Sequence, residues 1–157
     1  MRASSVEVTS VSAHGPAALV CLDRYFDELA ARFPEGFDRE GDGAAELDDY
    51  TPPAGVFLVA QILGEPAGCG ALRTLSPGIG EIKRMWVSPE VRGLGVGRKL
   101  LESLERTARE RKLRAVRLDT HSTLAAALRL YQTSGYREIP RYNDNPYAHH
   151  WLEKTLD

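Results

Sequence analysis

Apolar and polar residues alternate from Val6 to Val11, the period of a half-buried strand. His14-Gly15-Pro16 interrupts the alternation, and Pro16 suits the first turn of a helix. Leu19, Leu22, Phe26, Leu29 and Phe33 then mark a helical core stripe to about residue 33, and Pro34-Glu35-Gly36-Phe37 ends it. Residues 38–49 are acidic and glycine-containing (Asp38, Glu40, Asp42, Glu46, Asp48, Asp49), with one short helix expected from Ala44 to Tyr50. Thr51-Pro52-Pro53 stops that helix. Val56 to Leu63 is a continuous apolar run, the pattern of a strand buried on both faces. Gly64-Glu65 is read as a tight turn, and Pro66 to Leu75 as the returning hairpin partner. Ser76-Pro77-Gly78 turns the chain into a strand from Ile79 to Val87. A helix over 96–111, a strand from Ala115 to Thr120 and a helix over 124–134 follow, with Gly135 as C-cap. Tyr136 to Ile139, a loop rich in proline and asparagine, and a last strand from His149 to Thr155 complete the chain.

The order is β-α-α-β-β-β-α-β-α-β-β. Antiparallel hairpins combined with βαβ crossovers imply a mixed α/β fold, one sheet of about seven mostly antiparallel strands with helices on both faces. A chain of 157 residues is expected to form one domain, 1–157. Charged residues make up 27% and apolar residues 43%, a globular balance. The net charge of -2 gives no basic excess for nucleic acid. Arg106, Arg109, Arg111, Lys112 and Arg114 are interrupted by Glu102, Glu105 and Glu110, which reads as a solvated helix face. No run approaches the roughly 20 apolar residues that span a bilayer, and the N-terminus lacks an apolar signal core. The expectation is a soluble cytoplasmic protein without a membrane partner. Cys21 and Cys69 read as small buried side chains. His14, His121, His149 and His150 lack the spacing of a metal site, so no metal is expected.

The candidate chemistry begins at Arg92-Gly93-Leu94-Gly95-Val96-Gly97, between the strand ending at Val87 and the helix bearing Leu100, Leu101, Leu104 and Ala108. Amides at a helix N-terminus have no internal partner and carry partial positive charge, and glycines let an anion approach them. Arg92 adds a forked cation. Neither Gly-x-x-x-x-Gly-Lys-Ser/Thr nor Gly-x-Gly-x-x-Gly occurs here, which argues against a nucleotide-binding domain. Arg-x-x-Gly-x-Gly after such a strand resembles the acyl-CoA loop of the GNAT N-acetyltransferases. The segment Leu130-Tyr131-Gln132-Thr133-Ser134-Gly135-Tyr136 matches that family's Leu-Tyr-x-x-x-Gly-aromatic stretch, and Glu81-Ile82-Lys83-Arg84-Met85-Trp86-Val87 its acid-first strand. The order of elements is also that of the GNAT fold, so the resemblance covers the whole chain.

The resemblance implies acetyl-CoA as co-substrate, contacted by Met85, Val87, Arg92, Gly93, Gly95, Val96, Gly97 and Arg98. It also implies that the Val87 N–H bonds the thioester carbonyl. Tyr131 is the candidate acid for the leaving thiolate, because a phenol stays protonated where a thiol ionises; otherwise it is core filler. Glu81 is the candidate base, acting through water, with a strand-end role or an ion pair with Lys83 or Arg84 as the alternative; His121, another carboxylate and solvent are the other candidates. Many family members carry Asn where this chain has Leu124, so side-chain contacts to the coenzyme there do not carry over. The loop residues Tyr142, Asn143 and Asn145 are candidates for substrate recognition or for a rigid turn. The acidic 38–49 stretch suits a cationic acceptor or a solvated surface. No nucleophilic elbow or Cys-His pairing is present, which favours direct transfer in a ternary complex. The expected function is transfer of an acetyl group to a primary amine, with a small molecule favoured over a protein. A non-catalytic acyl-CoA-binding sensor on the same fold is the alternative. Family members are often homodimers, and the resemblance extends that state to this chain as an open option.

Overall fold

The computed structural model describes residues 5–37 and 44–157. Asp38, Glu40 and Asp42 of the acidic stretch lie outside the described residues. Strands β1 (Val6–Val11), β2 (Gly55–Ile62), β3 (Glu65–Ser76), β4 (Ile79–Val87), β5 (Ala115–Thr120), β6 (Arg137–Glu138) and β7 (His150–Thr155) form one seven-stranded sheet. Its order is β1-β2-β3-β4-β5-β7-β6. Every neighbouring pair is antiparallel except β4 with β5. The helices are α1 (Pro16–Arg32), α2 (Ala44–Asp48), α3 (Val96–Glu110) and α4 (Ala125–Thr133).

The continuous apolar run of β2 serves two cores. Val56, Leu58, Ala60 and Ile62 point into the core shared with α3 and α4, while Phe57 and Val59 point into the core shared with α1. Leu100, Leu101, Leu104 and Ala108 of α3 are fully buried in the first core. A buried leucine contributes about 1.5–3 kcal/mol relative to exposure, so this helix face is a principal fastening of the sheet.

The α1 stripe differs from the sequence reading at its start. Leu19 is 44% exposed, whereas Ala18 and Cys21 are buried with Leu22, Phe26, Leu29 and Phe33. The buried face follows the i, i+4 row through 18, 22 and 26, and Leu19 falls beside it. Glu105 departs from the expected solvated face as well. It is 4% exposed and accepts hydrogen bonds from the Tyr136 hydroxyl (2.8 Å) and Lys154 Nζ (2.9 Å), which fasten α3 to the C-terminal strands. Cys21 and Cys69, remote in sequence, are both buried against the same part of the sheet, and each thiol donates to a backbone carbonyl, Cys21 to Gly68 and Cys69 to Arg84. The acids that remain within the described part of 44–49 are paired: Glu46 with Arg84, Asp48 with His14 and Asp49 with Arg73.

Past the reach of α1, the face of β4, β5 and β7 carries a polar row. The register aligns Glu81 with Arg117, Arg117 with Glu153 and Asp119 with Trp151. The segment 139–149 lies against this row. Tyr142 reaches Glu81, Asn143 reaches Asp119, and Trp151 Nε1 donates to Asn143 Oδ1. Half of one sheet face is thus covered by a loop held through hydrogen bonds instead of by an apolar helix.

The β2–β3 turn lies one residue earlier than expected. Ile62 pairs with Glu65, leaving Leu63 (φ 52) and Gly64 (φ 80) as the two loop residues. Two successive left-handed residues match the twist of a hairpin, and Asn-Gly is the preferred pair. A leucine there carries a Cβ penalty of about 1–2 kcal/mol, and this one is 84% exposed, so burial offsets none of it. Leu63→Asn is expected to stabilise the protein by up to about 1 kcal/mol, or about 2–4 °C in Tm. Thermal and urea unfolding would measure this, and an unchanged or lowered midpoint would show that the turn stores no strain.

Candidate active site

The site originates where the sheet comes apart. β4 and β5 are in parallel register only from Ile79–Ala115 to Glu81–Arg117. Beyond that pair β4 stays with β3 and β5 stays with β7, so the two strands diverge. A bulge in β4 adds to the turn of the strand. One extra residue sits between the Ala71–Lys83 and Cys69–Trp86 pairs, and Arg84 there has φ 60. Bulges sharpen local twist and re-aim the residues that follow. Side-chain contacts hold the strained residue in place. Cys69 Sγ donates to the Arg84 carbonyl at 3.1 Å, the guanidinium meets Glu46 Oε2 at 2.6 Å, and it lies 5.4 Å from the Phe26 ring centre.

Two cavities occupy the opening. One of about 300 Å³ is lined by Met85, Val87, Arg92, Gly93, Gly95, Val96, Gly97 and Arg98, which brings together every residue proposed for the coenzyme. The other, of about 370 Å³, lies between β4, β5, α1 and the 139–149 segment. Tyr25, Leu29, Met85, Leu124, Ala127 and Tyr131 belong to the walls of both.

The smaller cavity gathers donors of the kind that suit an anion. Gly95 caps α3 in the left-handed region (φ 81) without a side-chain cap. The first helical bond is Lys99 N–H to the Gly95 carbonyl (3.1 Å), so the amides of 96–98 have no partner within the helix. A Cβ on Gly97 would come within 3.1 Å of Leu130 Cδ2, so glycine lets α3 start close to α4 without displacing that side chain. Arg92 crosses the mouth. Its Nε donates to the Val87 carbonyl (3.1 Å), and its Nη2 meets both oxygens of Glu28 at 2.7 Å. Glu28 also accepts from Trp86 Nε1 (3.1 Å) and pairs with Arg32 (2.9 Å). The coenzyme fits these features: its pyrophosphate would meet the free amides and Arg92, and Arg98 adds a second cation.

Tyr131 stands at the junction of the two cavities, and among the described residues its hydroxyl has no hydrogen-bond partner. Burial pushes its phenol well above the usual range, with the nearby Tyr25 and Asp119 adding to the rise. The hydroxyl therefore remains a proton donor throughout neutral and moderately alkaline pH.

Glu81 takes the ion-paired place that the sequence left open beside a role as base, with Arg73 as its partner. It is 1% exposed and belongs to neither cavity wall. Arg73 Nε meets one oxygen at 2.8 Å, and the Tyr142 hydroxyl donates to the other at 2.7 Å. His121, the other side chain considered as base, caps the chain and is 3% exposed. Its Nδ1 accepts the Thr123 N–H (3.1 Å), its Nε2 meets Glu35 (2.8 Å), and its ring stacks on Phe33. Both ring nitrogens are occupied, which leaves no free lone pair for a substrate proton. A hydrogen bond that the carboxylate accepts from Glu35's own backbone N–H, and then the bond with His121, hold the Glu35 carboxyl below its ordinary range.

Of the loop residues, Tyr142 and Asn143 turn toward Glu81 and Asp119, and Asn145 lines the larger cavity. Asp119 is the group sequence reasoning missed. It lines the larger cavity, with Oδ2 accepting from Asn143 (2.6 Å) and Oδ1 from Asn145 (3.0 Å). The alternation of Arg117 and Asp119 within an otherwise apolar strand was the available signal.

The chain matches the GNAT acetyltransferase family model over residues 22–136. It is 36% identical over 118 residues to an IAA acetyltransferase of Azospirillum brasilense, covering 74% of this chain and 72% of that one. It is also 37% identical to an uncharacterized N-acetyltransferase of Schizosaccharomyces pombe, covering 66% of this chain and 64% of that one. A GNAT-family acetyltransferase of Staphylococcus aureus has the same fold, with a TM-score of 0.81 at 20% identity over 97% of this chain and 99% of that one. A GNAT acetyltransferase from Elizabethkingia anophelis, solved with acetyl-CoA bound, shares the fold with a TM-score of 0.68 at 20% identity over 98% and 99% of the two chains. The splayed parallel pair, the uncapped glycine turn and these relationships together establish that the chain belongs to the GNAT acetyltransferase family.

Proposed function

We propose that the protein transfers an acetyl group from acetyl-CoA to the primary amine of a small molecule, by direct attack in a ternary complex. The observation that carries this reading is Tyr131, a buried and protonated hydroxyl at the meeting point of an anion-binding cavity and a second cavity. The α3 amides, Arg92 and Arg98 hold the coenzyme pyrophosphate. The Val87 N–H stabilises charge developing on the acyl oxygen. An ammonium has no lone pair, so the acceptor first releases a proton through Asp119, the carboxylate on the cavity wall. The neutral nitrogen attacks the acyl carbon. The C–N bond forms as the C–S bond breaks, and the Tyr131 hydroxyl protonates the departing sulfur. The nitrogen loses its second proton to solvent as the amide forms, and solvent restores the Tyr131 proton, so one proton is released overall. Glu81 acts behind this machinery, fixing Tyr142 and Asn143 and through them Asp119.

Acetyl-CoA at 100 times its Kd should stabilise the protein by about 2.7 kcal/mol, visible as a raised Tm. Arg92→Ala removes a charge-assisted contact, so affinity should fall about tenfold or more while the fold persists. An undiminished shift in this variant would remove the coenzyme from the glycine turn.

Release of free thiol from acetyl-CoA in the presence of amines tests the reaction itself. Tyr131→Phe should bind acetyl-CoA normally and turn over on the order of 10²-fold more slowly. Wild-type turnover in that variant would reduce Tyr131 to packing.

The two carboxylates should separate by their signatures. Asp119→Asn should lower turnover at neutral pH and recover as pH rises and the amine deprotonates unaided. Glu81→Gln leaves Arg73 without its closest counter-charge and should cost roughly 1–3 kcal/mol, less than a fully buried break because Arg73 is partly solvated. Its folded fraction should keep the wild-type pH–rate profile. If the profile changed in Glu81→Gln and not in Asp119→Asn, Glu81 would be the base.

A further inference from the structure

The last paired positions of the splay are Glu81 and Arg117. Two residues further along each strand stand Lys83 and Asp119. Strand periodicity puts both on the same sheet face as Glu81 and Arg117, and the parallel register puts them level with each other. In a continued ladder they would form a cross-strand ion pair. The splay leaves both of them lining the 370 Å³ cavity instead. Among the described residues neither has an ion-pair partner. Asp119 is steadied by two neutral amides, which occupy one site on each oxygen and leave a second on each. The third wall is apolar. Phe33, Phe37 and Tyr147 form a cluster with ring centres 4.8–5.8 Å apart. A volume of 370 Å³ lies near the small end of the usual range for ligand sites, about 300–1,000 Å³.

The geometry points to a zwitterionic acceptor, a free amino acid with a bulky apolar or aromatic side chain, whose ammonium sits at Asp119 and whose carboxylate sits at Lys83. This rests on the acetyltransferase reading and narrows its substrate. The ligand would complete the ion pair that the sheet geometry prevents, and its side chain would lie on the Phe33–Phe37–Tyr147 wall. Diamines and polyamines have no anion to offer Lys83, and simple arylalkylamines satisfy only Asp119.

The test compares L-phenylalanine with phenethylamine, which differs by the carboxylate alone. Calorimetry on coenzyme A-saturated protein should show phenylalanine binding at least tenfold more tightly. Lys83→Met should erase that difference by weakening phenylalanine alone, and Asp119→Asn should weaken both ligands. In thiol-release assays the same preference should appear mainly in KM. Equal binding of the two ligands, a preference that survives Lys83→Met, or tighter binding of spermidine would each overturn the assignment. Turnover of phenethylamine or spermidine without the carboxylate preference would do so while leaving the acetyltransferase reading intact. That reading would itself fall if acetyl-CoA produced no Tm shift and no amine released thiol.

Discussion

The buried carboxylate of Glu81 sits at the vertex of the opening between β4 and β5, and the rest of the site is arranged around it. It occupies the final position at which the two parallel strands are in register. Arg73 on β3 neutralises it from one side, and Tyr142 of the 139–149 segment donates from another. A buried charge is tolerated only when it is paired and hydrogen-bonded, and removing a partner is far more costly than the pair itself is stabilising. The value of this node is therefore positional. It ties β3, β4 and the covering loop to one point, from which the strands are free to separate.

That separation leaves charges and amides exposed to a cleft in ways a closed sheet would not permit. On one side, the first turn of α3 offers amides with no helical partner, and Arg92 is held ready between the Val87 carbonyl and Glu28. The Glu28 carboxylate keeps Arg92 paired and oriented across the cavity mouth, at the cost of competing with any phosphate for the same guanidinium. On the other side, Asp119 and Lys83 face a cavity with no protein counter-ion among the described residues. Tyr131 stands between the two. Burial keeps its proton on, which matches the proposed need for a donor at departing sulfur.

Much of this was legible in the residues. The strands and helices follow from periods of two and 3.6, and every expected element is present with its ends within one or two residues. The residues proposed for the coenzyme could be grouped from the sequence because a glycine turn at a helix start is a local device; its amides, charge and conformation are all encoded within six residues. The hidden parts were pairings across the sheet. Glu105 looked solvated because nothing nearby in sequence shows Tyr136 and Lys154 closing over it. Leu19 looked buried because a helical stripe can be drawn through it, and only the direction in which α1 crosses the sheet excludes it.

The sequence by itself determined the element order, the two-sided burial of β2, the glycine turn at the start of α3 and the place of Tyr131 in its helix, since each depends on residues within a few turns of one another. Tertiary structure decided what the acids do. Glu81 and Asp119 are both acidic strand residues in otherwise apolar runs, and no local rule separates them. The register of β4 with β5 does so, because it ends between them. On the closed side of that end, Glu81 is sealed under Arg73 and Tyr142; on the open side, Asp119 faces the cavity.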